Sequence, residues 1–225
     1  MSTPSTPTSP TEPYEIKDAT KEDSENILVF LRKFFFRDEP LNTSIQLIES
    51  ENAVCMELEE FSLKSLYEGI SLIATTTSGK IVGVCLNGIL KRDDPEEELH
   101  ECSNPKFAKI LKLLDKLERE GNVFGQFPDV NKVLTVKVLS VDNGWRGKGI
   151  AKELMNKTRN IAREQGCGLM RVDCSSYFSA RAIASLGFDC VYSLKYDEYK
   201  ENGEIVFNTE EPHREARIYV QRLSS

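Results

Sequence analysis

Apolar and polar positions alternate over Tyr14 to Thr20 (YEIKDAT), the pattern of a first strand. Thr20 is placed to cap a helix, and Asp23 three residues on gives it a capping-box-like start. Along that helix Ile27, Phe30, Leu31, Phe34 and Phe35 recur at i, i+3, i+4, i+7 and i+8, forming one apolar face. Phe34 and Phe35 are therefore expected in the core, with Phe36 turned about 100° off that face. Pro40 pushes Glu39 to extended geometry, so the helix ends in a kink with Glu39 beside the aromatic cluster. Residues 43–69 read as mostly helical, ending near Gly69. SLIATTT and KIVGVCLNGIL flank Ser78-Gly79-Lys80 as a β-hairpin over Ser71 to Leu90.

The charged segment RDDPEEELHE reads as a solvated loop, and Asn104 to Glu118 as a further helix. VLTVKVLSV (Val133 to Val141) is an almost unbroken β-branched run, typical of a central strand. It runs into DNGWRGKGIA and a second amphipathic helix carrying Ile150, Leu154 and Ile161. GLMRVDC (Gly168 to Cys174) is another strand, followed by a short helix from Ser179 to Leu186 that stops at Gly187. Strands around Phe188 to Tyr196 and Ala216 to Gln221 close the chain. There is no internal repeat. This order is a mixed α/β domain built on a central sheet.

Composition narrows the setting. The chain has 225 residues, enough for one domain, and is 40% hydrophobic with no run of membrane-spanning length. MSTPSTPTSPTEP has neither a basic start nor an apolar stretch, so it is not a secretory signal. It reads as a disordered tail over residues 1–13, leaving 14–225 as the single domain. The six cysteines (Cys55, Cys85, Cys102, Cys167, Cys174, Cys190) are widely spaced, which suits reduced thiols in the cytosol. They form no zinc pattern with His100 or His213, so no metal is expected. A net charge of −7 argues against nucleic acid as a partner and suits a cationic substrate.

The most informative residues are Arg146-Gly147-Lys148-Gly149-Ile150-Ala151. A strand ends, small residues clear a turn, and a helix begins, which exposes backbone N–H groups at the positive end of a helix dipole. Arg146, Lys148 and Lys152 add local positive charge. A Walker loop is excluded, because Gly149 is followed by Ile150-Ala151 where lysine and hydroxyl belong. A dinucleotide fingerprint is excluded by Lys152 at the third glycine position. R-x-x-G-x-A fits Arg146, Gly149 and Ala151 without a gap, although a helix start that merely needed glycines for its turn would look the same.

R-x-x-G-x-A between a β-branched strand and an amphipathic helix resembles the acetyl-CoA site of the GNAT superfamily of N-acetyltransferases. ARAIASLGF (Ala180 to Phe188), about forty residues on, resembles that superfamily's closing helix and Gly-Phe strand entry. The likeness is closer to the insect arylalkylamine N-acyltransferases, including the dopamine N-acetyltransferase branch. Those carry a DEPL-type segment, here Asp38-Glu39-Pro40-Leu41, and a CSSxYSA-type segment, here Cys174-Ser175-Ser176-Tyr177-Phe178-Ser179-Ala180. The fold this implies is α/β (α+β): a mixed, mostly antiparallel, splayed seven-stranded sheet flanked by helices.

The resemblance also implies a site. Backbone of the splayed strand at Leu139 and Val141 would bind the pantetheine arm. Arg146, Gly147, Lys148, Gly149 and Ala151 would hold the pyrophosphate, and Ser179 and Arg181 the CoA end. Glu39 would be the general base, with Ser175 and Ser179 implicated in catalysis. A pocket that burial and the phenylalanines make apolar can raise a carboxylate's pKa toward that task. Phe36, Pro40 and His213 would border the amine. Backbone N–H near Val141 is the natural donor to the oxyanion. The tyrosine that many superfamily members place four residues before the Gly-Phe glycine is Ile183 here, which leaves the general acid unassigned. Ser179 also reads as a plain helix N-cap. Trp145 reads as packing or a lid over the cofactor, and Cys174, without a nearby histidine, is no acyl-carrying nucleophile.

The expected activity is acetyl transfer from acetyl-CoA to a small primary amine, by direct attack in a ternary complex. Arylalkylamines such as dopamine, serotonin, octopamine or tryptamine lead. Agmatine or polyamines are the enzymatic alternative, and a protein N-terminal or lysine acetyltransferase ranks behind them. A non-catalytic acyl-CoA-binding module is the alternative from another class. The expected partners are acyl-CoA and the amine alone, on a cytoplasmic monomer without membrane or nucleic acid.

Overall fold

A computed structural model describes residues 12–50, 52–95 and 102–223. Its elements run β1 (Tyr14–Asp18), α1 (Ser24–Phe34), α2 (Pro40–Ser44), α3 (Met56–Leu63), β2 (Leu72–Thr76), β3 (Ile81–Lys91), α4 (Pro105–Gly121) and α5 (Val123–Gln126). They continue with β4 (Lys132–Val141), α6 (Ile150–Glu164), β5 (Leu169–Cys174), α7 (Tyr177–Ser185), β6 (Asp189–Lys195), β7 (Lys200–Glu201), β8 (Glu204–Ile205) and β9 (Glu215–Arg222). Seven strands form one sheet in the order β1-β2-β3-β4-β5-β9-β6, and β7 and β8 make a small separate ribbon. Every pairing in the large sheet is antiparallel except β4 with β5. That parallel pair needs a crossover, which α6 supplies. The expected mixed, mostly antiparallel sheet flanked by helices is the observed one.

The feature that makes room for a site lies at the parallel pair. β4 and β5 are bonded only from Val133–Val136 to Leu169–Val172. Beyond that, β4 stays with β3 as far as Val141, and β5 stays with β9 as far as Cys174. The two halves of the sheet therefore part between the C-terminal ends of β4 and β5. A bulge helps: Leu86 faces Val138 and Asn87 faces Val136, which leaves Lys137 as an extra residue. Leu134 and Val136 point into the core under α6 before the bulge; after it Leu139 and Val141 take that side and Val138 the other.

Each sheet face has its own core. Ile150, Leu154, Met155 and Ala162 of α6 pack on Leu72, Val82, Leu134 and Met170. On the other face Ile27 and Leu31 of α1 and Leu113 and Leu117 of α4 pack on Ile73, Val84, Val133 and Ile218. The first of these contacts is close. A Cβ at Gly83 would come within 2.9 Å of Ile150 Cγ2 and 3.2 Å of Leu154 Cδ1. Gly83→Val is expected to lose about 1–3 kcal/mol to overpacking, read as a lower urea midpoint at unchanged m-value.

Several local expectations need correction. Phe35 leaves helical geometry (φ −132°, ψ −59°), and the Phe36 N–H donates to the Leu31 carbonyl at 2.8 Å. That wider, five-residue turn at the exit swings Phe36 inward to 1% exposure, while Phe34 and Phe35 are only half-buried. The 100° argument fails because the helix has already ended. Between 43 and 69 only part of α2, α3 and a 3-10 turn over Lys64–Glu68 are helical, although Gly69 does close the stretch at φ 67°. The α7 helix begins at Tyr177 with Ser176 as its cap, not at Ser179: Ser176 Oγ accepts the Ser179 N–H at 3.0 Å. Glu12 and Pro13, assigned to the tail, are held at the β2–β3 turn by Thr77 and Ser78. Residues 1–11 of the expected tail, and 96–101 of the acidic loop with His100, lie outside the described residues. Thr20 caps a 3-10 turn over Lys21–Asp23 that leads into α1, its N–H donating to Asp23 Oδ2 at 2.9 Å, and Asp23 is the N-cap of α1 itself.

Candidate active site

Glu39 ends up at the opening because of Pro40. Proline cannot extend α1, but it suits the first position of a new helix, where its missing N–H is not needed. Glu39 is thus the extended N-cap of α2 (φ −73°, ψ 119°). Its Oε2 accepts the Asn42 N–H at 3.0 Å. Asn42 is itself buried, with Nδ2 donating to the Phe36 carbonyl at 2.9 Å, so the junction between α1 and α2 is tied on both sides. The kink expected at Glu39 is this junction.

The other carboxylate oxygen meets β5. Ser175 Oγ, one residue past the end of that strand, donates to Glu39 Oε1. Burial pushes the Glu39 carboxyl above its ordinary pKa, opposed by the hydrogen bonds from Ser175, Asn42 and Leu41. The Ser175 carbonyl accepts the Tyr196 hydroxyl at 2.7 Å.

Ser179 lies elsewhere. Its Oγ donates to the Ser176 carbonyl at 3.0 Å and takes a bond from Ser176 Oγ at 2.8 Å. It adjoins Cys174, whose buried thiol is pushed up to about 12, with the Ser179 hydrogen bond opposing the shift. A thiol held neutral in this way is no nucleophile. The structure brings Glu39 and Ser175 into contact and leaves Ser179 on the first turn of α7. His213 reaches the same turn: Nδ1 accepts the Tyr177 N–H at 3.2 Å. Its ring meets Phe178 edge-on, centroids 5.6 Å apart, and Phe178 meets Tyr177 at the same separation. Phe178 is 63% exposed. Phe36 and Pro40, expected at the amine, are both buried, Pro40 as the first residue of α2.

The glycine turn follows β4. Asp142 anchors its start, Oδ1 accepting the Gly144 N–H at 2.9 Å and Oδ2 pairing with Lys80 Nζ at 2.7 Å. Trp145 is packing: it stands edge-on to Tyr14 at 6.1 Å, with Lys148 Nζ 4.5 Å above its ring. Arg146, Gly147, Lys148 and Gly149 are exposed. Gly147 (φ 76°) and Gly149 (φ 83°) hold the left-handed conformation that side chains disfavour, and a Cβ at either would meet nothing within 4 Å. Glycine is required there for backbone handedness, not for packing. The turn leaves N–H groups open at the start of the 15-residue α6 beside two cationic side chains, which fits an anion. Ala151 lies in the first turn of α6, and Leu139 and Val141 are half-buried on the freed part of β4. Arg181 on α7 is exposed and places its guanidinium 5.6 Å from the Tyr177 ring centroid. α6 and α7 thus start at the C-terminal ends of the two strands that part. Ile183 is buried in the core beneath α7. No cluster of three or more His, Cys, Asp or Glu among the described residues is arranged to hold a metal.

The acetyltransferase (GNAT) family model matches residues 46–188, well over half of the chain. The chain belongs to the GNAT family. It is a GNAT-type N-acetyltransferase, of a family that uses acetyl-CoA. The crystal structure of arylalkylamine N-acetyltransferase 2 from Aedes aegypti is 35% identical to it, over 94% of this chain and 99% of that one, with a TM-score of 0.86. Polyamine N-acetyltransferase from Drosophila melanogaster, which forms N-acetylagmatine, is 26% identical over 94% and 100%, with a TM-score of 0.84. The mosquito arylalkylamine N-acetyltransferase like 5b is 25% identical over the same shares, at 0.84. The GNAT match spans the glycine turn, Ser175, Ser179 and Arg181, but ends before His213 and starts after Glu39.

Two residues of this GNAT site escaped the sequence. Asn42 carried a signal: an acceptor, then proline, then a polar residue three positions on is a helix start. Tyr196 carried none, since the return of the chain through β6 and β9 brings it to Ser175.

Proposed function

We propose that this GNAT protein acetylates a small primary amine, with an arylalkylamine as its substrate and Glu39 as the base. The observation that carries the reading is the Ser175–Glu39 hydrogen bond at the sheet opening, made to a carboxyl whose pKa burial raises. A carboxylate tuned toward neutrality takes a proton from an ammonium group and releases it again at working pH. Ser175 orients that carboxylate, directly or with water between it and the amine. When bound, acetyl-CoA supplies the activated thioester. The open N–H groups of Gly147 and Gly149, with Arg146, Lys148 and the start of α6 at Ala151, hold its pyrophosphate. The freed backbone of Leu139 and Val141 lines the pantetheine arm, and the N–H near Val141 faces the oxygen that gains negative charge. Ser179 and Arg181 hold the far end of CoA. Protein and ligands meet as one monomer with two small molecules, in the cytosol.

Aromatic preference is supported by the 35% identity to an arylalkylamine enzyme and by the exposed rings of Tyr177 and Phe178 next to His213. The agmatine alternative is favoured by a second observation, the 26% identity to the polyamine enzyme and the acidic balance of −7. Release of CoA thiol with a panel of arylalkylamines, agmatine and polyamines tests the two. Turnover confined to agmatine and polyamines would replace the substrate, and none with any amine would overturn the reading. Phe178→Ala is expected to raise KM about 2- to 10-fold for arylalkylamines, the worth of one aromatic contact, and to leave agmatine nearly unaffected. Equal effects on both amine classes would remove Phe178 from ring recognition.

A further inference from the structure

Ser175 occupies a position where the sheet cannot hold it. The β4–β5 ladder ends at Val172 and the β5–β9 ladder ends with Cys174 opposite Arg217, one residue before it. Its side chain nevertheless points at Glu39. What restrains the backbone is Tyr196, whose hydroxyl donates to the Ser175 carbonyl at 2.7 Å.

Tyr196 is itself tightly held. It follows β6, one residue beyond the Lys195–Glu215 pair, and its N–H donates to the Arg214 carbonyl at 3.0 Å. The ring is 2% exposed and lies 6.3 Å from Phe207, which is 1% exposed and stacks on Tyr199 at 5.8 Å. The segment carrying β7 and β8 thus builds a socket that leaves the hydroxyl one direction. Burial holds the phenol well above its ordinary pKa, reinforced by the negative charges of Glu39 and Glu215; the neutral Cys174 thiol is the other titratable group that faces it. It stays protonated at every working pH. Its proton is committed to a carbonyl, so it is not the missing general acid.

We propose that Tyr196 is a positioning residue that fixes Ser175 so that its hydroxyl stays on the Glu39 carboxylate. Two hydrogen bonds in series, phenol to carbonyl and serine hydroxyl to carboxylate, then join β6, β5 and α2 across the opening. The proposal rests on the reading of Glu39 as base for its effect on rate, but not for its effect on Glu39 itself.

Tyr196→Phe removes one oxygen and keeps the ring. Losing a hydrogen bond to a neutral carbonyl is worth up to about a tenfold change, so kcat is expected to fall by up to about tenfold, with the amine KM within about twofold. The Ser175 bond lowers the Glu39 pKa, so its loss moves the acid limb of the rate profile to higher pH. Ser175→Ala should move it the same way, and the double variant should add little. The ¹³C shift of the Glu39 carboxyl, assigned by its absence in Glu39→Gln, reports the same displacement without any turnover. Phe207→Leu loosens the socket without removing the hydroxyl and should shift both readouts less. If the carboxyl midpoint rises while the rate profile stays put, the positioning role stands and the base assignment fails. If midpoint and limb both stay put while kcat falls only with thermal stability, Tyr196 is a packing residue and the proposal is overturned.

Discussion

Glu39→Gln is expected to lower kcat by about 10²- to 10⁴-fold, the usual contribution of a positioned base, with little change in the KM for acetyl-CoA. The amide is nearly isosteric, and its oxygen can still accept the Asn42 N–H, so the start of α2 survives. What disappears is the group that takes the proton. In the wild type, kcat/KM should fall on the acid side through an apparent pKa above the ordinary glutamate value of about 4.3, because burial raises this carboxyl. The variant should lose that limb together with the rate. Stability should move the other way. A carboxyl whose folded pKa is raised contributes stability below its unfolded pKa, and that contribution is lost as pH rises through the folded value. At neutral pH the wild type therefore keeps an ionised group in a desolvated site, which Gln avoids. Measured by thermal unfolding, the advantage of Glu39→Gln should grow from acid to neutral pH. A variant with full activity would return Glu39 to a helix-capping role alone.

The residues that matter were legible to different depths. The Arg146–Ala151 turn was readable because handedness is local: two glycines between a strand and a helix declare positive φ and open N–H groups before any tertiary contact exists. Gly69 and the hairpin followed from equally local rules. Phe36 was misread because periodicity holds only while the helix lasts, and Phe35 ends it one residue early. Ser176 took the capping role assigned to Ser179 because several adjacent serines and a short helix leave the boundary to tertiary packing. The Ser175–Glu39 contact joins residues 136 apart, and Tyr196 reaches Ser175 through two strand pairings. Composition and spacing do not encode such approaches. Resemblance named both residues of the first without their contact, and nothing supplied the second.

Gly149→Val is expected to raise the KM for acetyl-CoA about tenfold or more while changing kcat far less. Gly149 caps α6 at φ 83°, a conformation in which a β-branched residue is a strained outlier. Strain of about 1–3 kcal/mol would push the turn toward an unstrained path and turn its N–H groups away from the anion they are proposed to hold. Packing would not suffer, because a Cβ here meets nothing within 4 Å. The site of damage can therefore be told from general misfolding by the thermal midpoint, which should fall only modestly. Arg146→Gln offers a second arm that leaves the backbone alone. Arg146 is exposed, so its contribution should weaken with added salt, whereas the Gly149→Val defect should persist at high ionic strength. If Gly149→Val instead lowered kcat at unchanged KM, the turn would be acting on the reacting centre and not on the pyrophosphate.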